Sequence, residues 1–333
     1  MLRDATVFDD EHLPREIVGR NAQMNDVTDA LAPIQDDFRA ENCFLFGPSG
    51  SGKTTVARAA VRELKREVLD VPTAYVNCWQ DYTRTAVLER AARELVDAAV
   101  PTNPSTRDLI DTLQSSLESP GVVVLDEVDQ LQEMELLYDL HSVPGLAWIC
   151  IANREVDLLA RLDDRVRSRV SVGYRVQFDR YTVETVTEIL DRRAKQGLEP
   201  GAVERGTLRR IAELADGDAR RAITALRVGA RKAEREDSQT IHPRLVEASV
   251  LDAEDEVRRK TISKLNDHQR VLYECIEEWG PLIQKELYER YEATHPEPIT
   301  LRALRERHLP KLKHYNLIAV EDARGTKRYQ LAD

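Results

Sequence analysis

The stretch Gly47-Pro48-Ser49-Gly50-Ser51-Gly52-Lys53-Thr54-Thr55 limits the possible folds more than any other part of this chain. It fits the spacing G-x-x-x-x-G-K-[ST]. The apolar run Cys43-Phe44-Leu45-Phe46 ahead of it predicts a short buried parallel strand. Behind it, Val56, Ala59, Ala60, Leu64 and Val68 recur at helical spacing, so a helix begins at the loop. Gly47, Gly50 and Gly52 let the backbone turn tightly and bring its N–H groups onto an anion. The helix N-terminus favours the same negative charge. A strand, a glycine-rich loop and a helix in this order predict a phosphate cradle contributed by every residue from Gly47 to Thr55. Lys53 reaches the β- and γ-phosphates, and the Thr54 hydroxyl ligates Mg²⁺.

Further strands supply the groups such a cradle needs. Thr73–Asn77 reads as a second strand, and Gly121-Val122-Val123-Val124-Leu125-Asp126-Glu127 as a buried one ending in two carboxylates. Acidic residues at the C-terminal end of a buried strand lie where α/β sheets bind ligands. Asp126 is therefore expected beside the nucleotide, on the Mg²⁺ shell with Thr54, and Glu127 is expected to polarise the attacking water. Ala147–Asn153 is the next strand, and Asn153 is either a contact to the γ-phosphate or lytic water or a turn residue. Ahead of the loop, the segment containing Val18 either folds over an adenine ring or covers the sheet edge. A last strand is expected over Val172–Phe178.

A length of 333 residues suits two or three domains. Residues 1–179 carry the strand–helix alternation, 180–254 read as helices only, and 255–333 change character again. Cys43, Cys78, Cys150 and Cys275 never form C-x-x-C, which disfavours zinc and disulfide frameworks. No apolar run approaches the roughly 20 residues needed to span a bilayer, and the N-terminus lacks a signal-peptide core. A cytoplasmic protein is expected. The formal charge of −11 argues against general affinity for nucleic acid, and the excess of Arg over Lys with abundant acids suggests a high-salt cytoplasm.

The C-terminal third reverses that sign locally. Asn266 caps a helix holding Val271, Leu272 and Ile276, a second helix starts near Pro281, and Thr300 opens a third. Leu317–Val320 and Lys327–Leu331 then read as two strands around a turn, so the order predicts a winged helix-turn-helix. Residues 299–331 hold eight Arg and Lys against three acids, a local +5 in a chain of −11. Arg302, Arg305, Lys311, Lys313, Arg324, Lys327 and Arg328 are the candidate DNA contacts. Pro310 is expected to kink or end the third helix, so that Lys311 and Lys313 leave the groove followed by Arg302 and Arg305.

Taken together, these segments resemble the archaeal origin-recognition replication initiators of the AAA+ class. The resemblance rests on the phosphate loop, Leu-Asp-Glu-Val-Asp at 125–129, Ile-Ala-Asn at 151–153, Arg-Val-Arg-Ser-Arg at 165–169, Gly-Asp-Ala-Arg at 217–220 and the C-terminal module. It implies an α/β AAA+ ATPase, a parallel sheet with flanking helices, followed by a helical lid and a C-terminal winged helix. ATP or ADP with Mg²⁺ is the implied cofactor, and hydrolysis is expected to be slow. Asn153 corresponds to the first sensor. Arg220 corresponds to the second, a lid arginine that contacts the γ-phosphate of its own subunit. Either Arg165 or Arg169 corresponds to an arginine finger offered to a neighbour's nucleotide. Tyr82 and Arg84 correspond loosely to a further DNA-contacting segment, or else belong to a surface loop. Double-stranded origin DNA, a replicative helicase and other copies or paralogues of the chain are the implied partners, with no membrane, in a nucleoid-associated cytoplasmic setting. A winged-helix AAA+ DNA-binding regulator and a clamp-loader-like ATPase are the alternatives.

Overall fold

Continuous apolar runs become central strands here because both sheet faces are covered. The computed structural model describes residues 1–96, 100, 103–170, 172–323 and 326–332. The chain divides into two compact units, Met1–Ala253 and Glu254–Asp333. In the first, Cys43–Phe46 (β1), Thr73–Asn77 (β2), Gly121–Asp126 (β3), Leu146–Ala152 (β4) and Tyr174–Gln177 (β5) form a parallel sheet of order β2-β3-β4-β1-β5. The last strand is shorter than the expected span 172–178.

Side chains alternate between two helical layers, as the two-residue strand period requires. Cys43, Leu45, Val122, Val124, Ile149 and Ile151 pack with the helices Asn21–Leu31 (α1) and Lys53–Glu67 (α2). Phe44, Phe46, Val123, Leu125, Trp148 and Cys150 face Arg84–Leu95 (α3), Thr106–Ser116 (α4) and Glu135–Ser142 (α5). Each large side chain buried this way contributes about 1.5–3 kcal/mol. Ser105 and Asp108 form a capping box at the start of α4. Because all five strands run the same way, their C-terminal ends share one edge of the sheet. In register, Phe46 lies beside Ala152, and Asn77 beside Asp126.

Glu155–Leu159 (α6) and Asp164–Val170 (α7) lead into β5. Val183–Gly197 (α8), Arg205–Leu214 (α9), Ala219–Arg235 (α10) and Val246–Ser263 (α11) follow. The first three build a separate apolar core of Val186, Leu190, Leu208, Ile211, Ala222, Ala225 and Leu226. Val7 and Phe8 from the N-terminus join that core. A Cβ on Gly197 would stand 2.4 Å from the Phe8 ring, so the bare glycine makes room for it.

The second unit holds Asp267–Trp279 (α12), a two-residue strand Leu282–Ile283 (β6), Gln284–Thr294 (α13) and a helical run from residue 301 to 314. The strands Ile318–Ala323 (β7) and Thr326–Leu331 (β8) complete an antiparallel sheet of order β6-β8-β7. Asn266 caps α12 through a capping box with Gln269, and Thr300 caps the third helix. The sequence predicts a kink or an end of the helix at Pro310, and the helix does not end there. Leu301–Ala303 (α14) passes into a π turn over Leu304–His308 and on into Leu309–His314 (α15). The Leu309 N–H reaches back to the Leu304 carbonyl, one residue farther than in an α-helix. That wider turn lets the helix absorb a proline, whose ring would otherwise collide with the preceding turn and which has no N–H to donate. Pro310 is the second residue of α15, directly after the π segment. Lys311 and Lys313 therefore continue the helical run that carries Arg302 and Arg305. Among the described residues, no helix is long and apolar enough to cross a membrane.

Candidate functional site

The phosphate loop joins β1 to α2, and two of its glycines explain its shape. Gly50 (φ +70°) and Gly52 (φ +91°) adopt the left-handed region that side chains resist. A Cβ on Gly52 would stand 2.2 Å from the Tyr181 hydroxyl, and one on Gly50 would stand 2.0 Å from Asp218 Oδ1. The loop is thus packed against Tyr181 and against Asp218, the N-cap of α10. The Ala219 N–H at the start of α10 donates to the Gly50 carbonyl at 3.2 Å. Pro48, Gly50 and Thr55 are half-buried, Ser49 is exposed, and the Ser51 hydroxyl donates back to the Pro48 carbonyl at 2.8 Å.

Lys53 opens α2 and is buried. Its Nζ donates to the carbonyls of Gly47 (2.6 Å) and Pro48 (2.8 Å) and to Asn153 Oδ1 (3.2 Å). Burial pushes the ammonium down to about 8, and the nearby charge of Arg220 adds to the depression while Asp126 opposes it. An ammonium held only by neutral oxygens suits an incoming phosphate, which would supply the missing counter-charge. Asn153 follows β4 and so stands at the same sheet edge. Asp126 is the last residue of β3 and is buried. Its Oδ2 accepts from Thr54 Oγ1 at 2.9 Å and from the Tyr75 hydroxyl at 2.5 Å. Glu127 holds a left-handed backbone (φ +57°), uncommon for a residue with a long side chain and frequent where function demands it. Thr54 and Asp126 present oxygen donors, the ligands a hard cation such as Mg²⁺ prefers, and so fit it.

Arg220 lies in the first turn of α10, half exposed, with Nε 3.9 Å from Asp10. Val18 is half-buried two residues before Arg20. Arg20 is buried, donates from Nε to the Ser51 carbonyl at 2.9 Å, and stacks 3.9 Å from the Tyr181 ring centroid. It ties the N-terminal segment to the loop, and no local motif announced it. Tyr75 likewise has no local motif, whereas Asp218 lies in the Gly-Asp-Ala-Arg segment, which did not assign it a contact with the loop. The side chains of Arg165 and Arg169, on α7, lie outside the described residues. Their neighbour Arg167 donates to the carbonyls of Leu159 and Leu162.

Among the candidate DNA contacts, Arg302 and Arg305 are exposed and share one carboxylate. Glu306 Oε1 stands 2.9 Å from Arg302 Nε and 3.5 Å from Arg305 Nη2. Those two arginines hold the Glu306 carboxyl below its usual range. Lys313 is exposed and Lys311 half-buried. Lys327 and Arg328 are exposed on β8, opposite Asp322 and Glu321 of β7. Arg324 lies outside the described residues. Arg84 forms a two-pronged ion pair with buried Asp139 of α5, with Nη2–Oδ1 at 2.6 Å, and its side chain stays 30% exposed. Tyr82 is half-buried, and its carbonyl accepts from the Gln132 N–H at 3.0 Å.

Comparison with known proteins agrees with this arrangement. Residues 36–159 match the family model of an AAA domain, and residues 187–250 match that of the Cdc6 AAA+ ATPase-type lid domain. The chain is 38% identical to ORC1-type DNA replication protein 9 of Halobacterium salinarum, across 100% of this chain and 94% of that one. It is 37% identical to ORC1-type DNA replication protein 1 of the same organism, across 92% of this chain and 100% of the other. Among solved structures it resembles the Aeropyrum pernix ORC1 protein in complex with DNA, with a TM-score of 0.78 and 27% identity over 100% of this chain and 94% of that one.

Proposed function

This chain belongs to the family of the ORC1-type DNA replication proteins, AAA+ ATPases, and on that premise we propose that it is a replication initiator that binds duplex origin DNA under the control of bound nucleotide. Residues 1–179 and the lid, 180–254, hold ATP, residues 255–333 hold DNA, and the nucleotide state sets recruitment of the replicative helicase. Further copies or paralogues are the source of an arginine finger, from Arg165 or Arg169. Turnover by the lone chain is slow without it.

The observation that carries the nucleotide half is the meeting of Lys53 with Asn153 and of Thr54 with Asp126 within hydrogen-bond reach, from two separate strand ends and one helix. The α2 N-terminus and Lys53 bind the phosphates. Thr54 and Asp126 hold Mg²⁺, which when bound neutralises phosphate charge. The Glu127 carboxylate orients a water and accepts its proton, Asn153 positions the γ-phosphate end, and Arg220 reaches it from the lid. The DNA half is supported by the local charge of 299–331 and by the continuous helix that presents Arg302, Arg305 and Lys313.

The test is a titration of the full chain with origin and scrambled duplexes, at several salt concentrations, with ATP or ADP. Preference for origin sequence, altered by nucleotide and lost on deletion of residues 255–333, is the expected result. Unchanged duplex affinity after that deletion overturns the DNA assignment.

A further inference from the structure

Asp126 has a second hydroxyl donor that no phosphate-loop motif predicts. Tyr75 lies in the middle of β2, the edge strand of the sheet. Its neighbours Ala74 and Val76 are buried in the core on the α3 side, so strand alternation turns Tyr75 to the α2 side. Asp126 has the same parity as Val122 and Val124 in β3, which pack on that α2 side. The two side chains thus share a face of adjacent strands. The phenol spans the register offset between them and places its hydroxyl 2.5 Å from Asp126 Oδ2. The guanidinium of Arg58, from α2, stands 5.9 Å from the ring centroid and covers it. Thr54 donates to the same carboxylate oxygen from α2.

We propose that Tyr75 is a positioning residue for the divalent cation, holding the Asp126 carboxylate in the orientation that serves the ion together with Thr54. This rests on the nucleotide reading of the site. Thr54 has to share its hydroxyl oxygen with the ion once nucleotide is bound, which weakens its hold on Asp126. Tyr75 approaches from β2 rather than from the phosphate loop or α2, so its hold on Asp126 does not depend on the oxygen that Thr54 would give to the ion. Partners that orient a metal-binding carboxylate are worth about 10–100-fold in metal affinity elsewhere.

The experiment compares the full chain with its Tyr75→Phe variant, which keeps the ring and removes the hydroxyl. ATP binding is titrated in EDTA and across a Mg²⁺ series, and Mn²⁺ binding in the presence of ATP is followed by the electron paramagnetic resonance signal of the free ion. The expected result is equal ATP affinity in EDTA and a midpoint in Mg²⁺ or Mn²⁺ raised about tenfold or more. Identical metal midpoints overturn the proposal. So does an equal loss of ATP affinity with and without metal, which assigns Tyr75 to the fold alone. If the unaltered chain binds ATP with no metal dependence, the metal reading of Thr54 and Asp126 falls first, and the role of Tyr75 falls with it.

Discussion

Acidification from pH 7.5 to 5 should destabilise the C-terminal unit through His308. This residue ends the π turn and is 8% exposed, and its Nδ1 has no hydrogen-bond partner among the described residues. Its ring stands edge-on to His268 at 5.4 Å, and His268 stacks on His295 at 4.2 Å. Two of the surrounding groups are already engaged, whereas the buried His295 Nε2, like His308 Nδ1, has no hydrogen-bond partner among the described residues. Tyr291 accepts from the Ile299 N–H at 3.1 Å and so points its own proton at His268 Nδ1, 2.8 Å away, while His295 Nδ1 accepts from the Glu297 N–H. Burial pushes His308 down to about 4 from an ordinary 6.5, and the charges of His268, Lys311 and Arg307 act in the same direction. Asp267 and Glu297 lie near His268 and oppose its depression. The unfolded chain therefore takes up a proton that the folded unit refuses. Stability from this residue is intact above about pH 6.5, falls as pH drops from 6.5 toward 4, and stays level below that. Linkage gives a loss of about 2 kcal/mol between pH 7.5 and 5, and about 3 kcal/mol at the plateau. Urea unfolding of the full chain at the two pH values, read by pulsed hydrogen exchange in peptides covering 267–279 and 301–314, measures it. His308→Leu removes the titrating group but keeps an apolar side chain. The native chain should lose about 2 kcal/mol more than this variant on acidification. Equal losses in the two would refute the argument.

The remaining predictions concern the two candidate sites. Lys53→Ala should weaken ATP binding by on the order of tenfold or more in calorimetry, since a charge-assisted hydrogen bond is worth about 1.5–3 kcal/mol. Glu127→Gln should keep ATP binding and lose about 10²–10⁴ in turnover, and undiminished hydrolysis would remove it as the base. Glu306→Ala frees Arg302 and Arg305 and should raise duplex affinity, whereas Arg302→Ala should lower it and reduce the salt slope by about one if it grips a phosphate. An unchanged affinity in Glu306→Ala would show that the arginines do not meet DNA. Arg84→Ala strands the Asp139 carboxylate and should cost about 2–3 kcal/mol in urea unfolding, less than for a fully buried pair because Arg84 is 30% exposed. A DNA-binding defect in that variant without loss of stability would support a contact role for Arg84.

What the sequence determined by itself about this protein is what lies close together along the chain. The phosphate loop, the apolar strands feeding it, the helix cap at Asn266 and the hairpin near the C-terminus each declare themselves within a short stretch of chain, because turn chemistry, strand burial and capping are local. Parallel strands buried on both faces gave unusually plain signals at Cys43–Phe46 and Gly121–Asp126. Tertiary structure alone decided the rest. Pairing β2 with β3 carries Tyr75 to Asp126 across 51 residues, and packing α3 against α5 takes Arg84 to Asp139 across 55. The Phe8 ring enters the core of α8–α10 because Gly197 leaves space for it, and β6 is a strand only because β8 lies alongside. Pro310 reads as a breaker in isolation, since a proline's penalty is counted against an ideal α-helix. The folded chain widens one turn into a π segment, and the helix runs on to His314. Residue type limits what a side chain can do, but its partner is set by which faces the sheet and helices bury together.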